Sequence, residues 1–79
     1  MIEVQWQKIP TREWHKSDGQ FRTLEDAVRW CYDHTLRTDF TRPEWLEFQL
    51  LITSHAPIQF KLTHVSGDRY EYLVEEVEA

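Results

Sequence analysis

Apolar and polar residues alternate in three segments of the chain, a period typical of half-buried β-strands. In the first segment, "MIEVQWQKI", one face collects Ile2, Val4 and Trp6. The other two, "IQFKLTHV" and "RYEYLVEEV", begin at residues 58 and 69 and are joined by the turn sequence "SGD". Two alternating runs separated by three turn residues predict an antiparallel hairpin.

A helical period replaces the alternation in "TLEDAVRWCYDHTLR", residues 23 to 37. Thr23 is a good N-cap, and Asp26 three positions later fits the capping-box pattern. At about 100° per residue, the less polar positions fall on one stripe: Leu24, Ala27, Val28, Cys31 and Thr35. We therefore predict an amphipathic helix that packs on the sheet through this stripe.

Residues 41 to 53, "TRPEWLEFQLLIT", carry two conflicting signals. Thr41, Pro43 and Glu44 form a helix-start pattern. On a helical wheel, however, Leu46 and Leu50 point away from the other apolar residues, whereas in a strand they share a face with positions 48 and 52. Because this alternation extends over the whole segment, residues 44–53 are predicted as a strand, with a helix as the alternative.

These segments predict one compact domain over residues 1–79, of the α+β class. It has two layers, one amphipathic helix packed on an antiparallel sheet of about four strands, in the order β-[hairpin]-α-β-β-β. The optional hairpin is "REWHKSDGQFR", with its turn at Ser17-Asp18-Gly19.

The composition places the function on a surface. The 79 residues are 41% hydrophobic and include four Trp, four Phe and three Tyr, which supplies a core but leaves little to line a deep cavity. One cysteine excludes a disulfide scaffold, and the N-terminal residues lack the order of a signal peptide. We expect a cytoplasmic protein (in the host cytoplasm if phage-encoded) without a membrane partner.

The stretch "RWCYDHTLR" is the first place to look for chemistry, since it holds the chain's one cysteine and a nearby histidine. Cys31 falls in the middle of the apolar stripe, where a thiol acts as a small hydrophobe. Structural zinc needs four ligands, and the histidines are scattered at 15, 34, 55 and 64. We expect no metal, no cofactor and no catalytic residue. A small His-dependent enzyme remains an alternative, if His15, His55 or His64 converge beside a carboxylate.

Net charge is −5 and is unevenly distributed: residues 1–22 sum to +1, residues 23–44 to −2 and residues 45–79 to −4. This balance disfavours a general nucleic-acid binder. Segment 8–22 nevertheless interleaves cations with an aromatic residue in a way that suits single-stranded nucleic acid. The residues of this alternative site are Lys8, Arg12, Trp14, Lys16 and Arg22.

Two surfaces are candidates for binding a protein partner. On the outer helix face, Trp30 lies near Arg29, Asp33 and Arg37, a composition typical of interface anchors. On the C-terminal strand, Glu71, Glu75 and Glu76 could complement a basic groove, or could merely protect an edge strand from unwanted pairing.

By elimination, the expected function is that of a non-catalytic protein that binds a larger protein or nucleoprotein machine and inhibits or regulates it by surface occlusion. Small inhibitors encoded by phages or mobile elements, such as anti-CRISPR and anti-restriction proteins, act in this way. The layout of an extended segment leading into "TLEDAVRW" resembles that of such inhibitors and of HicB-type antitoxins, and it implies no functional residue. An exposed sheet edge could also pair two copies into a homodimer.

Overall fold

A computed structural model describes residues 1–35 and 42–77, with the side chains of residues 42 and 43 excepted. Its elements are β1 (Ile2–Lys8), β2 (His15–Lys16), α1 (Leu24–His34), α2 (Arg42–Ile52), β3 (Ile58–Thr63) and β4 (Arg69–Glu76). The four strands form one antiparallel sheet in the order β2-β1-β4-β3. The predicted two-layer α+β fold is confirmed.

The first and last strands of the chain pair at the centre of the sheet. β1 and β4 run antiparallel over their full length, from Ile2 opposite Glu76 to Lys8 opposite Tyr70. β3 joins the other side of β4 through the predicted hairpin. The interpretation of the C-terminal strand as an edge strand is therefore wrong, because both of its sides are paired. Such pairing between chain ends leaves no local trace in the sequence.

α1 forms as predicted and covers one face of the sheet. The Thr23 hydroxyl accepts a hydrogen bond from the Asp26 backbone N–H at 3.1 Å, which satisfies one of the free donors of the first turn. The stripe is buried at its centre, and the core shared by α1, α2 and the sheet contains Val4, Ala27, Val28, Cys31, Tyr32, Phe48, Phe60, Tyr72 and Val74. Thr35 is buried as well.

The strand predicted for residues 44–53 is wrong, since Arg42–Ile52 is the helix α2. Its inner face places Phe48, 1% exposed, edge-on against Tyr32 with ring centroids 5.5 Å apart. Leu46 and Leu50 point outwards and are 64% and 69% exposed. The helical wheel was therefore right to separate the two leucines from Phe48, because they lie on an outer face of the helix that the rest of the described structure leaves exposed.

The optional hairpin exists only in part. β2 has two residues, which pair with Gln5 and Trp6 of β1, and an isolated bridge joins Ile2 to Phe21 further along. Gly19 has a φ of +82°, in the left-handed region that glycine enters at little cost, and it lies in the predicted turn between these pairings. Segment 15–21 thus runs along β1 and extends the sheet.

Candidate functional site

Cys31 lies in the core, as its place in the helical stripe predicts. It is fully buried, and burial raises the pKa of its thiol far above the ordinary value. Nucleophilic thiols need the opposite, an accessible sulfur with a lowered pKa. Among the residues that the structure describes, no group of three His, Cys, Asp or Glu side chains is arranged to hold a metal ion.

Three of the four histidines lie around the rings of Trp6 and Tyr70, but none of them forms an ion pair with a carboxylate among the described residues. His15 stacks on Trp6 at 4.6 Å on the exposed side of the sheet edge, while His55 is exposed in the connection between α2 and β3. His34 also packs against Trp6, with ring centroids 4.5 Å apart, and its Nδ1 is 2.8 Å from the Tyr72 hydroxyl. Burial lowers the pKa of His34, and the nearby His64 lowers it further.

His64 lies beside a serine and an aspartate, but not in a catalytic order. Its Nδ1 accepts the backbone N–H of Ser66 at 3.0 Å and is 2.8 Å from the Ser66 hydroxyl, which in turn donates to Asp68 at 3.2 Å. In a catalytic relay the carboxylate orients the opposite ring nitrogen of the histidine. Here all three groups instead close the turn between β3 and β4.

Trp30 is half-buried in a cluster of aromatic rings. His34 stacks on it at 4.9 Å with planes 16° apart, and Phe21 contacts it at 6.3 Å. Phe21 therefore covers part of the Trp30 ring, whereas Trp14 makes no such contact and is 40% exposed. Trp30 contributes mainly to packing around the core and leaves only part of its ring for a partner.

The residues predicted to bind a partner lie on two opposite faces. On α1, Arg29 and Asp33 are exposed, and Arg29 pairs with Glu25 at 3.6 Å; Arg37 lies outside the described residues. Glu71 and Glu75 lie on the face of the sheet that α1 does not cover, which we call the open sheet face. Glu76 alternates to the other face, opposite Ile2. One flat contact could not use both sets, so the structure does not bring them together.

The carboxylates of the open sheet face are held by neighbouring glutamines. Glu71 accepts one hydrogen bond from the Gln7 amide at 2.5 Å and another from the Gln59 amide at 3.0 Å. Glu75 accepts one from Gln5 at 3.1 Å. These bonds link three strands across the face, so Glu71 and Glu75 take part in a polar network of the sheet itself.

Two of the cations in the basic and aromatic segment 8–22 form ion pairs with acidic side chains. Lys8 lies 3.2 Å from Asp68, and this contact holds the pKa of the Asp68 carboxyl below its usual value. Lys16 lies 3.4 Å from Glu3. Arg12 and Arg22 are exposed and form no ion pair with any other described residue.

Among the described residues, two of the three most exposed large apolar side chains lie on α2, on a surface that sequence reasoning missed. We call it the outer α2 face, and it consists of Leu46, Leu50 and the 43%-exposed edge of Trp45. Leu46 and Leu50 are one helical turn apart, so their side chains lie side by side. The signal was present in the sequence as the two leucines that a helical wheel separates from Phe48.

Comparison with protein-family models, with curated proteins and with solved structures found no match to this chain. Among the residues that the structure describes, no helix is long and apolar enough to cross a membrane.

Proposed function

We propose that the chain is a non-catalytic binding domain that docks on a larger protein or nucleoprotein machine through the outer α2 face and regulates it by occluding its surface. The observation that supports this proposal is the exposure of Leu46 and Leu50 on one side of a helix whose other side is anchored in the core. Contiguous apolar surface of this kind marks interaction sites in proteins that otherwise bury such residues.

The arrangement fits recognition of a helix by a groove. In that mode an amphipathic helix inserts apolar anchors spaced at i and i+4 into an apolar channel of the partner. Covering the exposed two-thirds of each leucine would contribute roughly 1–2 kcal/mol per side chain. Phe48 on the inner face keeps α2 attached to α1, so the anchors are preorganised before the partner arrives.

Charge defines the rim of the expected groove. Glu47 is exposed at the flank of α2, three residues before Leu50, and the chain as a whole carries −5. A partner with an apolar channel and a basic rim would be complementary to this surface, and opposite charges would speed association. Basic rims are common on machines that handle nucleic acid, which is consistent with occlusion of such a machine.

The test compares the double variant L46S/L50S with V65S in affinity capture from a bacterial lysate, with and without nuclease. Val65 is 65% exposed in the turn between β3 and β4, so V65S removes an apolar side chain of similar fractional exposure at a site outside α2. We expect one protein that survives nuclease, is captured by wild type and V65S, and binds the double variant at least about tenfold more weakly when purified. A partner retained by L46S/L50S, or equally lost with V65S, would contradict the proposal.

A second candidate function, binding of single-stranded nucleic acid, is favoured by one observation. Trp14 is 40% exposed in the same segment as Arg12 and Arg22, so a base could stack on it while the arginines contact phosphate. Such binding would weaken steeply with added salt. A flat oligonucleotide titration at low salt would remove this candidate.

A further inference from the structure

We infer that the open sheet face carries a binding site for a small oxyanion, separate from the outer α2 face and independent of the function proposed for it. The site is a cleft of about 220 Å³ at the end of the sheet where β1 finishes. Three segments line it: β1 with the turn that follows, β3 and β4. The lining residues are Gln7, Ile9, Pro10, Arg12, Lys61 and Glu71.

Two cations of the lining have no acidic partner. Arg12 and Lys61 are exposed, and neither forms an ion pair with another described residue. They reach the cleft from different segments, one from the turn after β1 and the other from the edge strand β3. A guanidinium and an ammonium group that line one cleft suit a ligand whose oxygens can accept from both at once.

The acid in the lining does not cancel these charges by contact. Glu71 lies opposite Lys61 in the strand register, but its two carboxylate oxygens accept from the amides of Gln7 and Gln59. Neutral donors thus hold Glu71, and the lining keeps one net positive charge. Arg69, two residues before Glu71 on the same face, adds a further positive charge at this end of the sheet.

The backbone at Arg12 supports a specific role for its side chain. Its φ is +59°, and it is the one non-glycine residue with a positive φ among those the structure describes. This conformation is unfavourable for a residue with a Cβ, and such strain concentrates at functional sites. Hydrogen bonds from Thr11 N to the Lys8 carbonyl at 2.8 Å and from Ile9 N to the Arg69 carbonyl at 2.9 Å fix the turn that presents Arg12.

The ligand class is an oxyanion of the size of phosphate or a carboxylate, and the experiment separates the two. The full chain is titrated with inorganic phosphate, and separately with acetate, at constant ionic strength while backbone amide shifts are followed by NMR. We expect saturable shifts around residues 9–12, 61 and 71. Tighter phosphate binding assigns a phosphoryl ligand, and tighter acetate binding assigns a carboxylate; either outcome supports the site.

Substitutions at the cations decide whether the cleft is the site. R12Q and K61Q should each weaken binding about tenfold, and R12Q/K61Q should abolish saturation. R29Q is the control, because Arg29 is an exposed arginine on α1, on the other side of the sheet from the cleft, and its loss should leave binding unchanged. Absence of saturable shifts, unchanged binding by R12Q/K61Q, or equal weakening by R29Q would overturn the inference. All three positions are exposed, so the amide spectrum will show whether each variant remains folded.

Discussion

The register of α2 makes an asymmetric prediction for three nearby apolar residues. Phe48 is 1% exposed and contacts the rings of Tyr32 and Trp45 at 5.5 and 5.7 Å. Phe→Ala substitutions in cores cost about 3–5 kcal/mol, and the half-exposed Trp45 can partly fill the space, so we expect about 3 kcal/mol for Phe48→Ala. Leu46→Ala and Leu50→Ala remove side chains that are mostly in water, and alanine favours a helix slightly, so each should change stability by less than about 0.5 kcal/mol.

Urea denaturation followed by tryptophan fluorescence measures all three variants, since the chain has four tryptophans. In thermal unfolding of a domain of this size, a loss of about 3 kcal/mol corresponds to a fall in Tm of about 12–24 °C for Phe48→Ala, whereas the Tm of each leucine variant should change by no more than a few degrees. If residues 44–53 were a strand, Leu46, Phe48 and Leu50 would share one face and their substitutions would cost similar amounts. Equal losses for the three variants would therefore refute both the helix register and the exposed outer α2 face.

Three further predictions test other parts of the fold. Thr23→Ala removes the N-cap acceptor of α1 and should cost about 1 kcal/mol in the free energy of unfolding; no loss would show that the cap does not matter. Burial lowers the pKa of His34, so the unfolded chain binds this proton more readily than the folded one. The contribution of neutral His34 to the free energy of unfolding is therefore fully present above about pH 6.5, the pKa in the unfolded chain, and decreases as the pH falls below that value. Urea midpoints across this range should show the decline, and His34→Gln should reduce it; a midpoint that rises on acidification would contradict the assignment. Arg12→Gly relieves a left-handed backbone that costs about 1–2 kcal/mol, but it also adds unfolded-state freedom worth roughly 0.5–1 kcal/mol. Urea denaturation should therefore show a gain of about 0.5 kcal/mol, while phosphate binding weakens about tenfold, as for R12Q.

Local signals were sufficient to predict most of the elements. The alternation in residues 2–8, 58–63 and 69–76 gives three strands, and Thr23 marks the start of α1, because these patterns depend on neighbours within one turn or one strand. The pairing of Ile2 with Glu76 depends on contact between the two ends of the chain. No periodicity within either segment encodes that contact, which is why β4 was taken for an edge strand.

α2 was mispredicted for a reason that bears on function. Periodicity predicts secondary structure only when the apolar residues of a segment all face the core, and Leu46 and Leu50 do not. Their alternation with Phe48 imitated a strand, while the start signal at Pro43 and Glu44 was correct. A helix whose outer side is apolar exposes to water surface that an isolated domain normally buries, and such conflicts are expected where a partner completes the burial.

The two proposed sites can be tested separately because they share no residue and approach the sheet from opposite sides. α2 packs on α1 over the covered face, whereas Arg12 and Lys61 border the cleft on the open sheet face. L46S/L50S should therefore weaken docking at least about tenfold and leave phosphate binding intact, whereas R12Q/K61Q should abolish phosphate binding and leave docking intact. If R12Q/K61Q also weakened docking with phosphate absent, the partner would contact both sides of the domain, and a single helix in a groove would no longer describe the complex. If docking changed only when phosphate was present, the anion would be an effector of the interaction, coupled to α2 through β4 and the core beneath it.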